Sequence, residues 1–150
     1  MAADDVRDAE ELLDALHQRS EQLTNILRDV AEDAERDRIY LPLDDLARFG
    51  ITEDDVKSGK ELLNHPGWKP FVDEYIERCD RYREKAFKLF GLLDRSSRYS
   101  PAAMATFYQS ILNKIQRKDG DVFTERIQLS KTEKMFLAAY VYVRYRFLAL

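Results

Sequence analysis

At 150 residues the chain has the length of one domain, and such a domain buries roughly two thirds of the surface its unfolded form exposes. Hydrophobic residues make up 45% and charged residues 35%, so a core lies beneath a densely charged surface, and a net charge of −4 argues against a nucleic-acid partner held by phosphate attraction. Cys79 is the sole cysteine, which excludes an intramolecular disulfide, and its apolar helical position reads as a buried thiol rather than a nucleophile. The acidic N-terminus lacks the basic and apolar regions of a signal peptide, so a reducing cytoplasm is the expected compartment.

Few glycines and prolines interrupt the chain, as a helical protein requires. The first helix is predicted from about Asp4 to Gln18, with Val6, Ala9, Leu12, Leu13 and Leu16 as its apolar stripe. Asp4, Asp5 and Asp8 complement the dipole at its start. It continues into, or bends toward, a second helical stretch ending near Arg36. Ile39 to Pro42 is expected to be extended, because Pro42 restricts the residue before it. Short helical turns follow at about Leu43–Phe49 and Glu53–Ser58, with Gly50 as a stop and Thr52 as an N-cap. Asn64-His65-Pro66-Gly67 reads as a turn.

A long helix is then predicted from about Pro70 to Leu93, with Val72, Tyr75, Ile76, Cys79, Tyr82, Ala86, Leu89, Phe90 and Leu93 at core spacing. A loop at Arg95 to Tyr99 follows. Ser100 as cap and Pro101 as first residue open a helix carrying Met104, Phe107, Tyr108, Ile111, Leu112 and Ile115, ending near Gly120. The last helix starts at about Ser130, with Glu133 as its capping-box partner. From Met135 to Leu150 it is apolar almost all round, too short for the ~20 apolar residues that span a bilayer. A packed helix is the preferred reading, against a surface that docks a partner or an edge in peripheral contact with a membrane. The alternation from Val141 to Phe147 also fits a strand.

The chemistry is written in residues 22–42. On a helix, Gln22, Asn25, Asp29, Asp33 and Arg36 share one face, beside an apolar face of Leu23, Ile26, Leu27, Val30 and Ala34. Two carboxylates a turn apart, backed by two amides, are oxygen ligands for a hard cation such as magnesium, which leaves positions open for water and phosphates. The competing reading is an ordinary solvated helix face.

The string Gln22-Leu-Thr-Asn25-Ile-Leu-Arg28-Asp29-Val-Ala-Glu32-Asp33, followed by Arg38-Ile-Tyr40-Leu-Pro42, resembles the second aspartate-rich motif of the phytoene and squalene synthases. The resemblance continues through Leu43–Asp55, through Tyr108-Gln-Ser-Ile-Leu112-Asn-Lys-Ile115, and through Asp121-Val-Phe-Thr-Glu-Arg126-Ile-Gln-Leu-Ser130-Lys. It covers about residues 22 to 140 in the family's order, resembles roughly the C-terminal half of such an enzyme, and is closest in look to the phytoene synthases.

The resemblance implies an all-α helical bundle related to the isoprenoid synthase fold. It also implies a magnesium cofactor, prenyl diphosphate substrates and head-to-head condensation through a cyclopropyl diphosphate intermediate. By the same resemblance Asp29 and Asp33 are the magnesium ligands, Gln22 and Asn25 assist them, and Arg28, Arg36, Arg38 and Arg126 face diphosphate. Tyr40 and Tyr108 then match cavity-lining tyrosines, against a plain core-packing reading. Glu32 lies off the acidic face.

Three departures accompany this resemblance. The family's first aspartate-rich motif has no counterpart here. The run His17-Gln-Arg-Ser-Glu21 is polar where relatives have small or apolar residues. Asp37 stands where the family commonly has glycine. A site so halved requires a complement, for which a homodimer and a partner polypeptide carrying the first motif are the candidates. The rival is a non-catalytic helical scaffold that retains the motif.

Overall fold

The computed structural model describes residues 3–94 and 98–147. Most of the loop expected at Arg95 to Tyr99, and the end of the last expected helix at 148–150, lie outside them. So do the side chains of Val6 and Ala9 in the expected first stripe. Among the described residues the chain is all-α, with no strand. The helices are α1 (Ala3–Arg28), α2 (Val30–Glu35), α3 (Leu43–Arg48), α4 (Glu53–Lys57), α5 (Trp68–Leu89), α6 (Tyr99–Arg117) and α7 (Lys131–Phe147). Tighter 3₁₀ turns occupy Gly59–Asn64 and Phe90–Leu92.

The chain divides into two compact units, one of Met1–Glu21, Cys79–Ser110 and Leu129–Leu150, the other of Gln22–Arg78 and Ile111–Gln128. The first has its core in Leu13, Ala86, Phe90, Leu93, Ala102, Ala103 and Val141, drawn from α1, α5 and the 3₁₀ turn and cap that follow it, α6 and α7. Cys79 is buried here, outside any disulfide, and its carbonyl oxygen accepts a 3.4 Å hydrogen bond from the Ser20 hydroxyl. The helix α6 starts at Tyr99, ahead of the expected Ser100 cap. Pro101 therefore sits third, where a missing N–H costs no intrahelical bond. Met104, expected in the core, is 38% exposed.

The capping box of α7 forms as its sequence predicts. The Ser130 N–H donates to the Glu133 carboxylate at 2.8 Å, and the Glu133 N–H donates back to the Ser130 hydroxyl at 3.1 Å. The helix runs to Phe147, so the alternation from Val141 does not produce a strand. Only one side of α7 is packed, however: Val141 is buried while Phe136 is 71% exposed.

In the second unit Thr52 caps α4 through a full capping box with Asp55, and Gly50 ends the α3 turn at a φ of 71°. The helix α5 begins at Trp68, two residues ahead of Pro70, so Pro70 too falls in a first turn whose N–H groups have no helical acceptor. Gly67 precedes it in close contact with the Phe49 carbonyl; a Cβ at this position would overlap that oxygen. The fully buried Trp68 packs against Phe71 and Phe123 at ring separations of 5.7 and 5.6 Å. Its indole N–H donates to the Gly120 carbonyl at 3.0 Å, fixing the end of the α6 turn to the start of α5.

Candidate functional site

The motif region is a helix with a bend in it. Between α1 and α2, Asp29 takes φ −97° and ψ 9°, yet the hydrogen-bond ladder runs through. The Asp29 N–H donates to the Asn25 carbonyl at 2.9 Å and the Asp33 N–H to the Asp29 carbonyl at 2.9 Å. Asn25, Asp29 and Asp33 therefore remain one turn apart, on the helix whose other side buries Leu23, Leu27 and Val30.

Asp29 lies at the centre of a charge cluster. Arg28 grips it with both arms, Nε to Oδ1 at 2.8 Å and Nη2 to Oδ2 at 2.7 Å. From the loop after α6, Arg126 brings Nη2 to 3.5 Å from Asp29 Oδ1 and Nε to 3.1 Å from Glu32 Oε1. Burial pushes the Asp29 carboxyl up, but the Arg28 hydrogen bonds and charge, reinforced by Arg126, outweigh it and hold the group below its ordinary value. Asp29 is thus ionised at neutral pH.

The Arg126 loop is held at several points. Gly120 adopts a φ of 81°, and its N–H donates to the Ile115 carbonyl at 3.0 Å. Asp121 Oδ1 accepts from the N–H groups of Phe123 (3.1 Å) and Thr124 (2.8 Å), and Val122 and Ile127 are buried on either side. Lys114 donates to the Gln128 carbonyl at 3.0 Å, and Lys118 pairs with Glu125. Arg126 also lines an open groove of about 350 Å³ with Lys114, Arg117 and Lys118, where Glu125 is the one acid. The sequence reading missed this cationic groove, although Lys114, Arg117 and Lys118 are spaced at i, i+3 and i+4 on α6.

Other residues of the motif fall nearby or apart. Asp33, Arg38 and Tyr40 line a hollow of about 10 Å³ with Ile26, Val30, Ile39, Leu41 and Val56, about the room one water needs. Tyr40 itself is 55% exposed. Gln22 and Arg36 are exposed. Tyr108 belongs to the other unit, lining a small hollow with His17, Ser20, Glu21, Arg83 and Ala105.

That hollow shows what the polar run before Gln22 does. Ser20 is buried, His17 packs its ring 5.9 Å from that of Phe90, and burial lowers the His17 pKa. Gln18 and Arg19 remain exposed, so the run is split between inside and outside. Asp37 has a φ of 57°, a conformation natural to the glycine commonly found there, and its carboxylate pairs with Lys57 at 2.8 Å.

The oxygen donors on the motif face are Asp29, Asp33 and Asn25, whose buried Oδ1 has no hydrogen-bond partner. Among the described residues no three His, Cys, Asp or Glu side chains converge into a ready-made metal cage. Carboxylates are the ligand type magnesium takes, one or two from a protein with water and phosphate oxygens completing its shell, and Arg28 would have to release at least one Asp29 oxygen for Asp29 to serve as one.

A family model described as squalene/phytoene synthase matches residues 4–133. The chain belongs to the squalene/phytoene synthase family. It is 42% identical over 123 residues to the chloroplastic phytoene synthase 2 of Zea mays, covering 82% of this chain and 30% of that protein. The phytoene synthase 2 of Oryza sativa subsp. japonica is 41% identical over the same shares of the two chains. A crystal structure of a dehydrosqualene synthase in complex with ligand superposes with a TM-score of 0.74 at 27% identity, over 87% of this chain and 45% of the neighbour. This family member thus spans less than half the length of the relatives it matches. No helix among its described residues is long and apolar enough to cross a membrane.

Proposed function

We propose that this chain carries the second aspartate-rich half of a magnesium-dependent, head-to-head prenyl diphosphate condensation, completed by a further portion of the fold. The observation that carries the reading is the junction of Arg28, Asp29, Glu32 and Arg126, which ties the aspartate-rich helix to the arginine loop. Both segments are among those that resemble phytoene synthases.

In this reading Asp29 and Asp33 hold magnesium, with Asn25 and Gln22 as helpers. The chemistry a bound magnesium supplies is neutralisation of the departing diphosphate. Arg28 and Arg126 keep Asp29 ionised, and their planar forks match phosphate oxygens as well as carboxylate. Arg38 and Arg36 extend the cationic rim. A non-catalytic scaffold is the second reading, favoured by the polar His17 and Ser20 turned inward where relatives place small or apolar residues.

The test is incubation with geranylgeranyl or farnesyl diphosphate and magnesium, with pyrophosphate release and oligomeric state followed together. The proposal expects magnesium-dependent release by the assembled protein, lost in Asp29→Asn and Asp33→Asn. No magnesium-dependent release by the unsubstituted protein, with any substrate binding unchanged in both variants, would establish the scaffold reading instead.

A further inference from the structure

An open cavity of about 380 Å³ lies among α5, α6 and α7, and all of its lining belongs to the first unit, whereas Asp29 and Asp33 belong to the second. That volume falls in the range of small-molecule sites, which bury an apolar body and orient it with a few polar groups. Phe87 on α5, with Val141 and Tyr145 on α7, supplies an apolar wall. The wall is continuous with the unit's core, where the Phe90 ring lies 4.8 Å from that of Phe87 and 6.4 Å from that of Tyr145.

Two arginines line the same cavity, and no carboxylate does. An aromatic side chain braces each of them. The Arg83 guanidinium carbon lies 5.8 Å from the centroid of the Phe87 ring. Its Nε and Nη2 donate to Asp80 Oδ1 at 3.3 and 3.1 Å, which leaves Nη1 without a partner among the described residues. Arg144 Nη1 donates to the Tyr140 hydroxyl at 2.8 Å, no acid among the described residues pairs with it, and its Nε and Nη2 remain for a further acceptor. The Tyr140 oxygen accepts that bond and keeps its own proton to donate. Burial raises the Tyr145 phenol above its ordinary value, so no negative charge arises there. Core packing accounts for Val141 and Tyr145, but not for two arginines lining one opening with no acid between them.

We propose that this cavity binds an amphipathic anion, a phosphate or carboxylate head on an apolar chain, with Arg83 and Arg144 on the head and Phe87, Val141 and Tyr145 along the chain. Guanidinium forks match the oxygens of either head group. Binding needs no magnesium, because the lining offers that ion no carboxylate. The site is separate from the proposed condensation and does not depend on it.

The test is calorimetric titration of the full chain with octyl phosphate and with octanoate, each below its critical micelle concentration. We expect one site per chain, with affinity at least tenfold above that for octanol, which lacks the charge, and for inorganic phosphate, which lacks the chain; the tighter of the two probes names the head group. Arg83→Gln and Arg144→Gln should each weaken binding at least tenfold. Arg144 and Tyr140 are exposed, so Arg144→Gln and Tyr140→Leu keep the test open if Arg83→Gln disturbs helicity by circular dichroism. Arg48→Gln, at an exposed arginine outside the cavity, should leave binding unaltered, as should a magnesium chelator, Asp29→Asn or Asp33→Asn. The last two abolish the proposed condensation, so failure of that reading and failure of this one are read separately. No binding below the micelle concentration, equal binding of octanol, binding indifferent to the arginine substitutions, or binding that requires magnesium would each overturn the proposal.

Discussion

Replacing Trp68 by Phe should loosen the junction that supports the Arg126 loop. The substitution deletes the indole N–H that donates to the Gly120 carbonyl at 3.0 Å and leaves that buried acceptor without it, a cost of about 1–3 kcal/mol. The smaller ring also forfeits part of the packing against Phe71 and Phe123, where aromatic pairs contribute about 0.5–1.5 kcal/mol each beyond burial. The sum is about 3 kcal/mol, which for a domain of this size lowers Tm by roughly 6–12 °C. Urea denaturation gives the free energy, and hydrogen exchange at residues 120–128 should rise more than exchange in α7. A loss below about 1 kcal/mol with unchanged exchange in the loop would refute the assignment of Trp68 as the anchor.

Gly67→Ala places a Cβ on the Phe49 carbonyl oxygen, a backbone atom with little room to yield, and should cost about 3 kcal/mol or more by chemical denaturation; near-native stability would contradict the close approach. Asp37→Gly relieves a left-handed residue at φ 57° and should raise stability by up to ~1 kcal/mol, despite loss of the exposed Lys57 pair; a lower Tm would show that the pair dominates. Because the folded Asp29 pKa is lowered, the stability it lends is fully present above the ordinary carboxylate range and is lost as pH falls through the folded value. Arg28→Ala should move that titration upward, shrinking the contribution and shifting its loss to higher pH. Carboxyl NMR would expose an unmoved Asp29 and so refute the cause assigned here.

Much of the fold was legible because local chemistry and tertiary demand agree. Thr52 as the α4 cap, Ser130 with Glu133, and the glycine stop at Gly50 are encoded within four residues and form as the sequence predicts. The helices start at Trp68 and Tyr99, ahead of the starts that Pro70 and Pro101 predict, because a proline marks a first turn without marking its first residue. A proline is equally tolerated at the third position, and only distant contacts choose between them. The face of α7 was misjudged for a different reason. Periodicity reports that a helix is apolar all round, but not how much of its surroundings the same chain supplies.

The site divides the same way. Helical spacing put Asn25, Asp29 and Asp33 together from sequence alone, and the run through Asp121–Lys131 flagged Arg126 by its resemblance. That Arg126 reaches Glu32 as well as Asp29 depends on a loop fixed by Trp68, a contact 52 residues apart in sequence from Gly120. The cationic groove beside it escaped notice because Lys114 and Lys118 read as ordinary surface charge on the end of an amphipathic helix.

Titration of the wild-type chain with inorganic pyrophosphate, in the presence and absence of magnesium, tests the central claim most directly. The account predicts binding that requires magnesium and that falls at least tenfold when Asp29 and Asp33 are both changed to Asn. Equal affinity with and without the metal, or in the doubly substituted chain, would contradict it.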